Sequence, residues 1–74
     1  MLGYRLKTLR ILNNYTQQNM ADKLNIALRN YQKYESDETK PSLDNLVKLA
    51  DCLNVTTDYL LGRVESHEAS VDEH

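Results

Sequence analysis

An all-α domain of five short helices is the fold class this sequence predicts, and three observations lead there. Apolar residues recur at helical rather than alternating intervals. Asn, Ser and Thr, the residues that open and close helices, punctuate the chain about one helix length apart. No stretch carries a strand signal.

The first helix is read over positions 2–13, LGYRLKTLRILN, where Leu2, Leu6, Leu9 and Leu12 form an apolar stripe between Arg5, Lys7 and Arg10. Asn13 and Asn14 end it, because Asn tolerates the left-handed conformation that closes helices. Thr16 is an N-cap for a second helix from Gln17 to about Leu24, with Met20, Ala21 and Leu24 turned inward. Asn25 interrupts the pattern and Ile26 is the lone apolar residue before a third helix, Leu28 to about Ser36. Tyr31 and Tyr34 stand three apart, share one face of that helix and are expected in the core. Leu28, Arg29, Gln32 and Lys33 fall on the other side. A polar loop, 37–40, leads to Pro41. Ser42 then caps a fourth helix over 43–53, with Asp44 complementing its dipole and Leu46, Leu49, Ala50 and Leu53 buried. Asn54 terminates it. Thr56 caps a short fifth helix that Gly62 stops near Leu61.

At 74 residues the chain is one small domain, near the lower limit for an unaided core. Its single cysteine, Cys52, gives no disulfide framework and no metal cluster. His67 and His74 fall in a polar tail, and no constellation of acid, base and nucleophile suggests an enzyme. No metal, cofactor or small-molecule ligand is expected. No apolar run reaches the ~18 residues of a membrane span, nor does the N-terminus read as a secretion signal. A cytoplasmic protein is therefore expected. The net charge of −2 hides a strong asymmetry. Residues 1–40 hold seven Lys/Arg against four acids, whereas 41–74 hold two against seven. Residues 65–74 form an acidic tail expected to be disordered, leaving a domain over 1–64.

The intervals say more than the helix count. A second helix of about eight residues, a three-residue turn and a third helix have the spacing of a helix-turn-helix. Such a turn wants positive φ at its first position, where Asn25 is the best substitute for glycine. Ile26 would then point inward and pin the turn.

With those residues in place, the chain resembles the phage repressor/Cro-type, or XRE-like, helix-turn-helix domains. The resemblance rests on YTQQNMADKLNIALRNYQKYE followed by KPSLDNLVKLADCLNVTTDYLLG and covers about 2–64. It implies a five-helix lambda-repressor-like fold whose third helix enters the major groove of an operator. Leu28, Arg29, Asn30, Gln32 and Lys33 become the candidate base contacts. Thr16 and Gln17, with Thr39 and Lys40 in the following loop, become candidate phosphate contacts. Arg10 and Glu35 match a pair that forms a salt bridge in many members. Two departures have physical consequences: Ala27 stands where a Ser or Thr cap is usual, and Leu28 replaces a polar residue. Ile11 and Leu12 add apolar surface where the family is commonly charged.

The expected function is sequence-specific DNA binding by a transcriptional regulator, of repressor kind, on a palindromic double-stranded operator. Its rival is a helix-turn-helix protein-interaction module, antitoxin- or adaptor-like, which Leu28 and the apolar surplus on the first helix would suit. One recognition helix reads few base pairs, so a homodimer is expected. Leu60 is assigned to closing the core, which leaves Tyr59, Leu61 and Val64 as the candidate dimer interface.

Overall fold

The computed structural model describes residues 2–64, and among them five helices and no strand are present. They are α1 (Leu2–Leu12), α2 (Gln17–Leu24), α3 (Leu28–Glu35), α4 (Leu43–Leu53) and α5 (Thr57–Leu60). The acidic tail at 65–74 lies outside the described residues.

The starts of α2, α4 and α5 are locally encoded. The Thr16 side chain accepts from the Asn19 N–H at 2.9 Å, while the Asn19 side chain accepts from the Thr16 N–H at 2.9 Å. This is a capping box built with Asn in place of the usual Glu or Gln. Ser42 and Thr56 cap α4 and α5 by accepting from Asn45 and Tyr59.

All five helices end in the same way. A residue with positive φ follows each one: Asn14 (61°), Asn25 (58°), Asp37 (63°), Asn54 (59°) and Gly62 (78°). The next N–H then bonds a carbonyl five residues back, as in Tyr15 to Arg10, Ile26 to Ala21, Glu38 to Lys33, Val55 to Ala50 and Arg63 to Asp58. That closure satisfies carbonyls that a helix end leaves without partners. Asn25 and Asn54 fill the place that glycine commonly takes. Asp37 was not foreseen in the sequence, where 37–40 reads simply as a polar loop.

The core gathers Leu6 and Leu9 of α1, Met20, Ala21 and Leu24 of α2, and Tyr31 and Tyr34 of α3. Leu49, Ala50 and Leu53 of α4 and Leu60 of α5 complete it. Tyr31 and Tyr34 meet edge to face, their centroids 6.3 Å apart. Ile26 packs half-buried against this core and pins the turn between α2 and α3. Leu12 stands 72% exposed although its spacing puts it in the apolar stripe, in keeping with the surplus apolar surface expected on the first helix. At about 100° per residue it has rotated round the edge of the stripe set by Leu2, Leu6 and Leu9. Leu46 is half-buried rather than buried, because it borders an open hollow beside Leu2, Pro41 and Leu61.

Candidate nucleic-acid interface

The helix-turn-helix segment carries every candidate base contact on α3, whose inner face is fixed by Tyr31 and Tyr34. Arg29, Asn30 and Gln32 are exposed. Lys33 is half-buried, one turn from Arg29. Leu28 is also half-buried and packs against the core, so only part of it faces outward. Thr16, Thr39 and Lys40 are exposed, and Gln17 is half-buried at the start of α2.

Behind this surface lies a connected polar group. Arg10 Nε donates to Glu35 Oε2 at 2.6 Å and Arg10 Nη2 donates to Oε1 at 3.3 Å, with side chains 12% and 6% exposed. The planar guanidinium therefore holds the carboxylate through two bonds. Arg10 Nη1 also donates to the Tyr15 carbonyl, tying the end of α1 to the entry of α2. The Tyr31 hydroxyl donates to Glu35 Oε2, and Gln17 Nε2 donates to Oε1 at 3.1 Å. Finally Gln32 Nε2 donates to Gln17 Oε1 at 3.2 Å. An unbroken series of bonds thus runs from α1, through the last residue of α3, to the exposed side chain of Gln32.

The charges follow from this geometry. Burial pushes the Glu35 carboxyl upward, but hydrogen bonds from Arg10, Tyr31 and Gln17 outweigh it and hold the group below the usual carboxylate range. The bond to Glu35 raises Arg10. Burial, then the bond to Glu35, drives the Tyr31 phenol upward, so it stays a donor. Asp37 is held low by the Gly3 backbone N–H, which donates to its Oδ1 at 3.0 Å.

Sequence reasoning brought Arg10 to Glu35 only through the family resemblance. The resemblance also implies that Gln17 braces the third helix, but sequence reasoning named neither Gln32 as its partner there nor the Asp37–Gly3 bond. The Asn19 box left a readable signal, a polar amide three residues after Thr16. Tyr34 adds another unforeseen link, its hydroxyl accepting from Asn45 Nδ2 at 3.0 Å to join α3 to α4.

Ala27 occupies the N-cap of α3 in extended conformation, φ −68° and ψ 146°, with no side-chain cap. Ala27→Ser is expected to stabilise the domain by about 1 kcal/mol. Thermal unfolding checks this through a rise in Tm of roughly 4–8 °C.

The residues named for self-association face different ways. Tyr59 borders a groove with Tyr4, Arg5, Thr8, Leu9 and Leu12. Leu61, 47% exposed, instead borders the hollow that contains Leu2, Thr39, Lys40, Pro41 and Leu46. Val64 is half-buried at the end of the described chain. Among the described residues no group of His, Cys, Asp and Glu could hold a metal ion, and no helix is long and apolar enough to cross a membrane.

Comparison with known proteins agrees with this geometry. The helix-turn-helix family profile matches residues 6–60. The HTH-type transcriptional regulator ImmR of Bacillus subtilis is 50% identical over 64 residues, covering 86% of this chain and 50% of ImmR. The cryptic phage CTXphi transcriptional repressor RstR of Vibrio cholerae is 47% identical over 64 residues, covering 86% of this chain and 57% of RstR. The chain therefore spans about half the length of these curated relatives. A crystal structure of SinR, the master regulator for biofilm formation, in complex with DNA superposes with a TM-score of 0.75 at 29% identity. That match covers 82% of this chain and 98% of the SinR chain.

Proposed function

This chain belongs to the phage repressor/Cro-type helix-turn-helix family, and on that premise we propose that it is a transcriptional repressor reading a palindromic operator through α3. The observation that carries the reading is the division of α3. Tyr31, Tyr34 and Glu35 hold it to the body, while Arg29, Asn30 and Gln32 remain exposed. Arg matches the guanine O6 and N7 edge, and Asn or Gln the adenine edge. Lys33 adds charge one turn from Arg29. Thr16, Gln17, Thr39 and Lys40 contact phosphates on either side and set the register.

Arg29→Ala is expected to cost on the order of 1–3 kcal/mol against the preferred site and to relax one position of it. Lys40→Ala, by contrast, weakens binding to all sequences alike and lowers the salt dependence by about one ion's worth. Titration of both variants against selected and random duplexes measures the difference. Equal losses on both kinds of DNA would refute the assignment of roles.

The same proposal includes a homodimer that, of the candidates Tyr59, Leu61 and Val64, is centred on the Leu61 face and places two α3 helices about 34 Å apart. Leu61 supports it most directly, since it is an exposed leucine bordering the same hollow as Thr39 and Lys40. A two-fold contact there puts the two phosphate-binding loops near the symmetry axis. Leu61→Glu is expected to shift sedimentation from dimer to monomer and to shorten the operator footprint to one half-site. A wild-type monomer that protects one half-site would remove the dimer from this reading.

The rival, a protein-interaction module, draws on Tyr4, Ile11 and Leu12 of α1, exposed by 68%, 54% and 72%. Selection of bound genomic fragments separates the two, because that module enriches no common sequence.

A further inference from the structure

We propose that Glu35 is a positioning residue for sequence reading: acting through Gln17, it sets the direction in which the Gln32 amide faces and makes Gln32 a reader of adenine. This rests on the DNA-reading function proposed above and adds to it a residue that touches no DNA.

An amide side chain can present either its oxygen or its NH₂ to a neighbour, and the network decides which. A carboxylate can only accept. Glu35, gripped by Arg10 and Tyr31, therefore obliges Gln17 to offer its NH₂, as the 3.1 Å bond from Gln17 Nε2 records. The Gln17 oxygen is then left facing Gln32, which must in turn offer its own NH₂, at 3.2 Å. One Nε2 hydrogen of Gln32 is used in that bond. Its other Nε2 hydrogen and its Oε1 remain, a donor beside an acceptor.

That pair complements the N7 acceptor and N6 amine of adenine in the major groove. Reversing the series gives a different reader. If Gln17 offered NH₂ to Gln32, the Gln32 oxygen would be occupied within the protein. Both its N–H groups would then face outward, complementary to the two acceptors of guanine. The polarity of one buried carboxylate thus selects between two bases at a position roughly two side chains away.

The test is selection of bound duplexes from a random pool by the wild-type chain and by Gln32→Ala, Gln17→Met, Glu35→Gln and Arg29→Ala. Each variant is first shown to be folded by circular dichroism at the binding temperature. Gln17→Met keeps the side-chain length but carries no amide. Glu35→Gln keeps the shape but can donate as well as accept, so the series loses its fixed direction.

The wild-type chain is expected to enrich adenine at one pair of each half-site, and Gln32→Ala to abolish that enrichment. Gln17→Met and Glu35→Gln should reduce it on the order of tenfold at the same pair. The pair relaxed by Arg29→Ala should stay as selective as before. A residue with a merely structural role would lower all affinities together and leave the preferences unmoved. That outcome overturns the proposal, as does a wild-type profile in which no pair depends on Gln32. If Glu35→Gln does not fold, Gln17→Met decides alone. A wild-type chain that enriches no sequence instead overturns the DNA-reading function itself, and this inference with it.

Discussion

Replacing Glu35 with alanine is expected to lower the unfolding free energy by about 3–5 kcal/mol, a large part of what a domain of this size possesses. The substitution leaves the Arg10 guanidinium, only 12% exposed, with its carboxylate partner removed. It also strips the Tyr31 hydroxyl and the Gln17 amide of their acceptor. A charge left without its partner costs more than the pair itself contributes, which is why the deletion is severe. Denaturant titration measures the loss, and a change below about 1 kcal/mol would show that water replaces the carboxylate freely.

The same group gives the stability a defined pH dependence. The carboxyl of folded Glu35 is held below its ordinary value. Its contribution is therefore fully present above the unfolded-state carboxylate range and is lost as pH falls through the lower folded-state value. Wild-type stability should decline with acid in that window, and Glu35→Ala should decline less steeply. Parallel curves for the two proteins would contradict this account.

Gly3→Ala is expected to destabilise by about 2 kcal/mol or more, the opposite sign from the usual exchange. Inside a helix, alanine is ordinarily favoured over glycine by about 1 kcal/mol. Here a Cβ would fall on the backbone carbonyl of Glu35, with the Asp37 carboxylate beside it. The carbonyl is backbone and cannot swing aside, unlike the Asp37 side chain. The close approach also serves the Gly3 N–H bond to Asp37, which supplies an acceptor to the start of α1. Alanine must push α1 away from the end of α3 and lengthen that bond. Thermal unfolding reads the sign directly, and any rise in Tm would rule out the steric explanation.

How much of this was legible in the sequence depended on the range of each interaction. The limits of α2 and α4 follow from Thr16, Asn25, Ser42 and Asn54, each of which acts within a few residues of itself. Tyr31 and Tyr34 were assigned to the core from spacing alone, and the structure places them there. Gly3 and Asp37, by contrast, are 34 positions apart, and nothing near either one announces the other. Gln17 and Gln32 are 15 apart and read singly as exposed amides. Leu12 belongs to the stripe by spacing yet is exposed, because periodicity fixes a stripe without fixing where the neighbouring helices stop covering it. The candidate DNA-facing side chains were legible as a set, but their mutual hydrogen bonding required the angle between α2 and α3.

The division of labour along α3 has an evolutionary consequence. Its inward residues, Tyr31, Tyr34 and Glu35, and its outward residues, Arg29, Asn30 and Gln32, alternate within one helix of eight residues. None of those three outward residues belongs to the core. Selection can therefore rewrite the outer letters freely while the inner ones go on specifying the fold. On the DNA-reading function proposed above, a lineage carrying this scaffold can move to new operators in single steps without passing through unfolded ancestors. Gln32 is the exception, because its neighbours constrain what it can become.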